Sequence, residues 1–335
     1  MTYEVLKSNR WRWSLTISLP VLLIGAMAAS MAFGAVFIGP QSMYDIIRGD
    51  GDMTLHAVAW NVRMPRIILA ALVGAALAAS GAILQGVMRN PLADAGIIGV
   101  TAGGGLAATI AMVALPQFAF LLPPFAFLGA LLTSLTIYGL AWSGGASPLK
   151  IILSGVAINA LLGAMQSGIM IIFSDRVQSV LPWLAGGLQG RGWHHVEFVL
   201  PYLVVGLGLT FFSARSLNIL TLGEQSAIAL GTRLERSRLV LIVLASLLAG
   251  AAVSVSGLIA FVGLLVPHAI RLLCGPDYRY LLPLSMLGGA LLVVVADTMV
   301  RTLFDPLELP VGILLAVIGA PWFLWIVRKY IPGRS

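Results

Sequence analysis

The sequence predicts an all-α, polytopic membrane protein of about ten transmembrane helices built on an inverted internal repeat. Three observations lead there. Hydrophobic residues make up 59% of the 335 and charged ones only 10%, with a mean hydropathy of +0.99, whereas soluble domains carry about 25% charged residues. The apolar residues gather into runs long enough to span a bilayer, separated by short polar stretches. A pattern of small residues in one run also recurs 176 positions later in another.

The first run, Leu15–Gly39, follows Lys7, Arg10 and Arg12 in the manner of a signal sequence. At about 25 residues it is too long for a signal core and reads as a retained span. Ile67–Val87, Gly96–Leu115, Phe118–Trp142, Ile151–Phe173 and Val196–Phe212 come next, most of them near the roughly 20 residues that a span needs. The stretch Leu239–Cys274 has 36 residues. As one helix it would be about 54 Å long, against a hydrocarbon core of about 30 Å. It is therefore split into Leu239–Leu258 and Ile259–Cys274. The second piece is short and holds Pro267 and His268, so it is expected to be broken and partly non-helical. Leu281–Val300 and Val311–Val327 complete the set.

Charge selects the same count. Ten spans with a cytoplasmic N-terminus put 14 of the 20 Lys and Arg residues inside and 6 outside; merging the split run gives 10 and 10. The positive-inside rule therefore favours ten spans with both termini cytoplasmic, in one transmembrane domain covering residues 1–335. The net charge of +7 has its use in that rule and calls for no nucleic acid. The single cysteine, Cys274, excludes an internal disulfide.

The repeat relates a first unit, about 67–173, to a second, about 239–328. Adding 176 maps Gly74, Ala75 and Ala76 onto Gly250, Ala251 and Ala252, Ser80-Gly81 onto Ser256-Gly257, and Pro91 onto Pro267. The second and seventh spans run in opposite directions, so the repeat is inverted, as in many transporters. Gly74 and Ala78, four apart, suit close helix packing.

The chemistry of an enzyme is missing. The three lysines, Lys7, Lys150 and Lys329, stand in no G-x-x-x-x-G-K-[ST] loop, and neither H-E-x-x-H nor G-x-S-x-G occurs. An ion-coupled transporter, the alternative class, would want charged residues near mid-membrane. Only Asp297 lies clearly within a run, one turn before Arg301 and expected to pair with it. Trp193-His194-His195 reads as an interfacial group in an outer loop. An energy source on a separate subunit is the better expectation.

Its docking surface is expected at 217–238. This stretch holds Glu224, Arg233, Glu235, Arg236 and Arg238, the densest charge in the chain. Leu222, Ala227 and Leu230 follow a helical spacing, Gly223 can break the chain before them, and Gly231 can end the turn. At the outer edge Arg63, Arg66 and Arg301 sit where the charge rule disfavours arginine.

At these residues the chain resembles the permease subunit of the ABC importers for ferric siderophores, haem and cobalamin. The matching stretches are RMPR at 63–66, ASGAILQGVMRNPLADAGIIGV at 79–100, WLAGGLQG at 183–190 and LGEQSAIALGT at 222–232. SGLIAFVGLLVPHAIRLLCG at 256–275, ADTMVR at 296–301 and LPVGILLAVIGAPWFLW at 309–325 continue the match. One departure is Gly186-Gly187-Leu188, where the family would have Gly-Ser-Leu.

The resemblance implies a transport subunit of the cytoplasmic (inner) membrane and not an enzyme. It works as a homodimer or with a paralogue, bears two ATP-binding subunits that carry the ATP and magnesium, and binds no cofactor itself. A periplasmic or lipoprotein binding protein delivers the cargo, for which a ferric siderophore is the expectation and haem or cobalamin the alternative. It also implies roles. Arg63, Arg66 and Arg301 would meet acidic residues of the binding protein. Gly223, Glu224, Ala227 and Gly231 would form the coupling helix in the ATPase cleft. Asn90-Pro91-Leu92 and Pro148-Leu149 would narrow the cytoplasmic exit. Asn159, Gln166 and Ser167 would line the pathway at the dimer interface.

Overall fold

The computed structural model describes residues 9–34, 36–50, 52–142, 147–304 and 307–330. Lys7, Arg334 and the two chain ends, which enter the charge argument, lie outside them. Every regular element among the described residues is helical.

The chain starts with α1 (Asn9–Ala32) and a short amphipathic α2 (Pro40–Arg48). Helix α3 (Met53–Ala57) passes through a π-helical turn, Val58–Arg63, into α4 (Met64–Val87). Then come α5 (Val100–Thr109), α6 (Leu122–Ala141), α7 (Pro148–Ile172), α8 (Val177–Ala185) and α9 (Trp193–Thr221). The short α10 (Glu224–Ala229) precedes α11 (Leu234–Ser256), α12 (Val262–Cys274), α13 (Tyr278–Leu303) and α14 (Val311–Tyr330). Among the described residues seven helices are long and apolar enough to cross a membrane, and Val100–Ala114, Val262–Cys274 and Val311–Trp325 are shorter apolar helices.

The core runs along α4 and α11. Of their apolar windows 83% and 78% are buried, against 6% for α7 and 11% for α1. Small residues decide this, because without a hydrophobic drive between helices in lipid, close backbone approach supplies the attraction. A Cβ built on Gly74 would lie 2.1 Å from the Gly289 carbonyl oxygen on α13, and one on Gly289 would lie 2.6 Å from the Ala78 Cβ. The four-apart pair read from the sequence is thus the contact face for α13.

Gly81 is tighter still, with its virtual Cβ 1.9 Å from the Gly263 carbonyl oxygen on α12. Gly81→Ala should therefore push α12 off α4 and destabilise the chain by about 1–3 kcal/mol or more. The expected drop in thermal midpoint in detergent should be absent in Gly139→Ala, whose added methyl meets nothing within 4 Å.

The stretch Leu239–Cys274 is two helices, divided around Leu258 and Ile259 as expected, but the second is not broken at its proline. Residues 257–261 leave the helix, with Gly257 and Phe261 both at φ 68°, while α12 continues through Pro267. A proline inside a helix orphans the carbonyl four residues earlier, here Gly263. The Gln85 side chain on α4 donates to that carbonyl at 3.2 Å, which removes the need for a break. Non-helical chain at membrane depth has to be satisfied by other parts of the protein, and here Leu258 N–H donates to the Trp183 carbonyl of α8 at 3.4 Å. Gly187 N–H donates to the Ser256 carbonyl at 2.8 Å, and Gly312 N–H to the Gly186 carbonyl at 2.9 Å. A Cβ on Gly257 would come within 2.0 Å of the Trp183 carbonyl oxygen. The motifs at 183–190, 256–275 and 309–325 therefore meet in space.

Candidate functional site

Helix α4 carries a cluster of charge at each end. At its start Arg66 is 6% exposed and holds Asp297 of α13 through two parallel bonds, Nε to Oδ2 at 2.9 Å and Nη2 to Oδ1 at 3.0 Å. This fork is the strong geometry for a guanidinium and a carboxylate. A third bond runs from Nη1 to Glu308 at 2.8 Å, whose side chain is half exposed. The expected local pair of Asp297 with Arg301 is thus replaced by a pair across 231 residues.

Arg301 turns instead toward α1, where it donates to the backbone carbonyl of Ser30 and, at 2.6 Å, to its hydroxyl. Arg63, at the π-helical turn, donates to the carbonyls of Met31, Ala32 and Val36. All three arginines are buried and bonded within the chain. Arg63 and Arg301 meet only neutral oxygens: among the described residues no carboxylate lies within ion-pair distance of either. The cluster of three arginines against Asp297 and Glu308 keeps a positive excess.

At the other end of α4, Arg89 takes a left-handed conformation (φ 49°) and opens the turn that leads to α5. Its guanidinium lies 3.4 Å from Glu224, the first residue of α10. Glu224 also accepts from Arg238 of α11 at 2.5 Å. The Arg238 hydrogen bond is the main cause that holds the Glu224 carboxyl below its ordinary value, with the charges of Arg238 and Arg89 adding. One carboxylate therefore ties α10 to both α4 and α11. Gly223 permits this start, because its φ of 106° is open to glycine alone.

The apolar face of α10 differs from the one its spacing suggests. Ala227 is fully buried against the chain and offers nothing to a partner. Leu222, Ile228 and Leu230 are each about 60% exposed, and Gly231 (φ 76°) has open space around it. Ile228 was hidden from the sequence by the phase of a single short turn. Arg89 could have been found, as the one basic residue beside Asn90.

Asn90 turns its side chain back to accept from the Leu92 N–H at 3.0 Å, fixing the turn around Pro91. Pro148 starts α7, an ordinary place for proline, and Leu149 beside it is exposed. Of the three polar residues on α7, Asn159 points inward and donates to the Gly96 carbonyl at 2.8 Å. Gln166 lies against Gly105 of α5, and Ser167 alone is on the exposed side. Beyond Lys150 in the first turn, that side is largely apolar, including Leu153, Val156, Leu161 and Met165. Trp193 and His195 open α9 and are not in a loop; Trp193 donates to the Trp60 carbonyl at 2.9 Å and His195 accepts from the Gly192 N–H at 3.3 Å. No cluster of metal-binding side chains occurs among the described residues.

Residues 22–329 match the FecCD transport family. The chain belongs to that family. As a FecCD chain it is 40% identical over 311 residues to an Fe(3+)-citrate import system permease protein of Bacillus subtilis, covering 92% of this chain and 93% of the relative. It is 38% identical over 330 residues to a hemin transport system permease protein of Yersinia pestis, covering 94% and 95%. It is also 44% identical over 277 residues to a cobalamin import system permease protein of Halobacterium salinarum, covering 82% and 74%. Among solved structures, a metal-chelate type ABC transporter in an inward-facing conformation superposes with a TM-score of 0.84 at 32% identity, over 94% of this chain and 99% of that one. The FecCD chain is a multi-pass membrane protein, and the resemblance read from its motifs is confirmed.

Proposed function

We propose that this FecCD chain is the permease subunit of an ATP-driven importer for a ferric siderophore. The observation that carries the reading is the Glu224 carboxylate, which joins the exposed helix α10 to Arg89 at the mouth of the Asn90-Pro91-Leu92 turn. A motor bound at α10 has a direct ionic connection to a constriction on the same side.

On this reading the seven long and three short apolar helices make ten spans in an inverted repeat. Both termini and α10 lie on the cytoplasmic side of the inner membrane. Leu222, Ile228 and Leu230 enter the cleft of an ATP-binding subunit, together with the Gly223, Glu224 and Gly231 backbone, while Ala227 supports α10 from behind. The apolar side of α7 faces a second permease, with Ser167 on the pathway and Leu92 and Leu149 near its exit. The binding protein docks at the Arg66 end. Its carboxylates would take Arg63 and Arg301 from their neutral acceptors, because a charged acceptor forms the stronger bond.

The test is uptake into proteoliposomes that hold the purified chain with its ATP-binding subunit and cognate binding protein. ATP-dependent uptake of a ferric siderophore, with neither haem nor cobalamin competing, is expected. Uptake of haem or cobalamin would reassign the cargo, and uptake by the chain alone under an ion gradient would refute the ATP-driven reading.

A further inference from the structure

A groove of about 890 Å³ runs along the side of the molecule between α1, α12, α13 and α14. On α1 it extends from Leu19 to Ala29, about 15 Å at the rise of a helix. That is half of a hydrocarbon core of about 30 Å, the depth of one leaflet. Its walls are aliphatic apart from Trp322.

The foot of the groove is basic. Arg12 lies seven residues before Leu19, two turns down the same face of α1. Its Nε donates to the carbonyl of Cys274 at 3.0 Å, the last residue of α12 and one turn past the groove residue Ile270. Its guanidinium stacks over Tyr280 at 4.9 Å, three turns below Leu291 on α13. Arg12 thus stands where three walls of the groove end. It also lines a depression of about 670 Å³ with Arg215 and Arg279, both exposed. The one acid there, Asp277, holds the Asn218 amide at 2.8 Å and caps α13 through the Arg279 N–H at 3.0 Å. Three arginines against one occupied carboxylate leave a site of positive charge beneath a one-leaflet apolar slot.

We propose that this composite site binds one anionic phospholipid, with its phosphate at Arg12 and Arg279 and an acyl chain in the α1/α12/α13 groove. Basic recesses between helices at a membrane face suit such headgroups. A headgroup with its own cation would bring a charge that the recess repels.

The test is native mass spectrometry of the purified full-length chain in mild detergent, titrated with phosphatidylglycerol or phosphatidylcholine of identical acyl chains. Preference for phosphatidylglycerol is expected. Arg12→Gln with Arg279→Gln should lower its retention about tenfold or more and leave phosphatidylcholine unchanged. Arg279→Gln alone, at an exposed residue, should give part of that loss without any risk to folding. Gly25 lines the groove, and a Cβ there meets nothing within 4 Å, so Gly25→Phe should fill the slot and lower retention of both lipids. Equal retention of the two lipids by the native chain, or no change in either variant, overturns the proposal. It is also overturned if Gly25→Phe only separates a dimer, which would give the groove to a second copy. Unchanged lipid retention in the double arginine variant, with weaker binding of the ATP-binding subunit when that subunit is added to the same sample, would overturn the proposal and give the recess to that subunit.

Discussion

Glu224→Gln should break the coupling between ATP hydrolysis and uptake while leaving the chain in the membrane. The carboxylate receives one guanidinium from α11 at 2.5 Å and a second from the end of α4 at 3.4 Å. An amide of the same shape keeps the packing and one acceptor oxygen but removes the negative charge that strengthens both bonds. With its hold on Arg89 weakened, α10 can move without moving the turn, and uptake per ATP hydrolysed should fall about tenfold, the effect of losing roughly 1.4 kcal/mol. Unchanged stoichiometry in proteoliposomes would remove Glu224 from the transmission path. The pH dependence follows from the sign of its shift. The Arg238 bond lowers the Glu224 pKa in the folded chain, so its stabilisation is complete above the ordinary carboxylate range and is lost as pH falls through the lowered value. Protection of the α10 amides, taken relative to their intrinsic exchange rates, should be insensitive to this group's titration at neutral pH and fall only in acid.

Asp297→Ala should be the most destabilising single change at the opposite end. It leaves Arg66, 7% exposed in its side chain, with Glu308 as its remaining carboxylate. Removing one member of a buried pair costs about 3–5 kcal/mol, because the other charge stays behind without compensation. Arg66→Ala should be comparably harmful for the same reason. The double replacement Arg66→Met with Asp297→Leu should recover much of the loss, since an apolar pair of similar volume carries no desolvation cost. Thermal midpoints of the four proteins in one detergent would show it. A double variant no more stable than either single one would mean that the pair does not act as a unit.

These two clusters also show how far the sequence could be read. The apolar runs were legible because each must satisfy its own backbone over the depth of a bilayer, a local requirement. The split at Leu239–Cys274 was legible from length alone. Its place was legible too, since the division between Leu258 and Ile259 falls within residues 257–261, which leave the helix; the unbroken helix at Pro267 was not, because the orphaned Gly263 carbonyl is met by Gln85, 178 residues earlier. The arginines at 63, 66 and 301 are visible as anomalies, but the sequence offers Asp297 only its helical neighbour Arg301, whereas its partner Arg66 stands 231 residues away. The burial of Ala227 is hidden for a different reason. In a helix of six residues one apolar position cannot reveal whether it faces the chain or a partner.

Helix α4 is wedged by backbone contacts at Gly74 and Gly81 and anchored by arginines beyond both. From Arg66 to Arg89 it measures about 35 Å at the rise of a helix. Mechanically it is a stiff beam with a hinge pin at each end. A beam packed this tightly has little room to bend, so a displacement imposed at Glu224 reaches Asp297 as a tilt or a slide of the whole length. The ends that would meet a motor and a cargo carrier are then mechanically one part, and relative motion falls to the helices that pack loosely around it, α7 first among them.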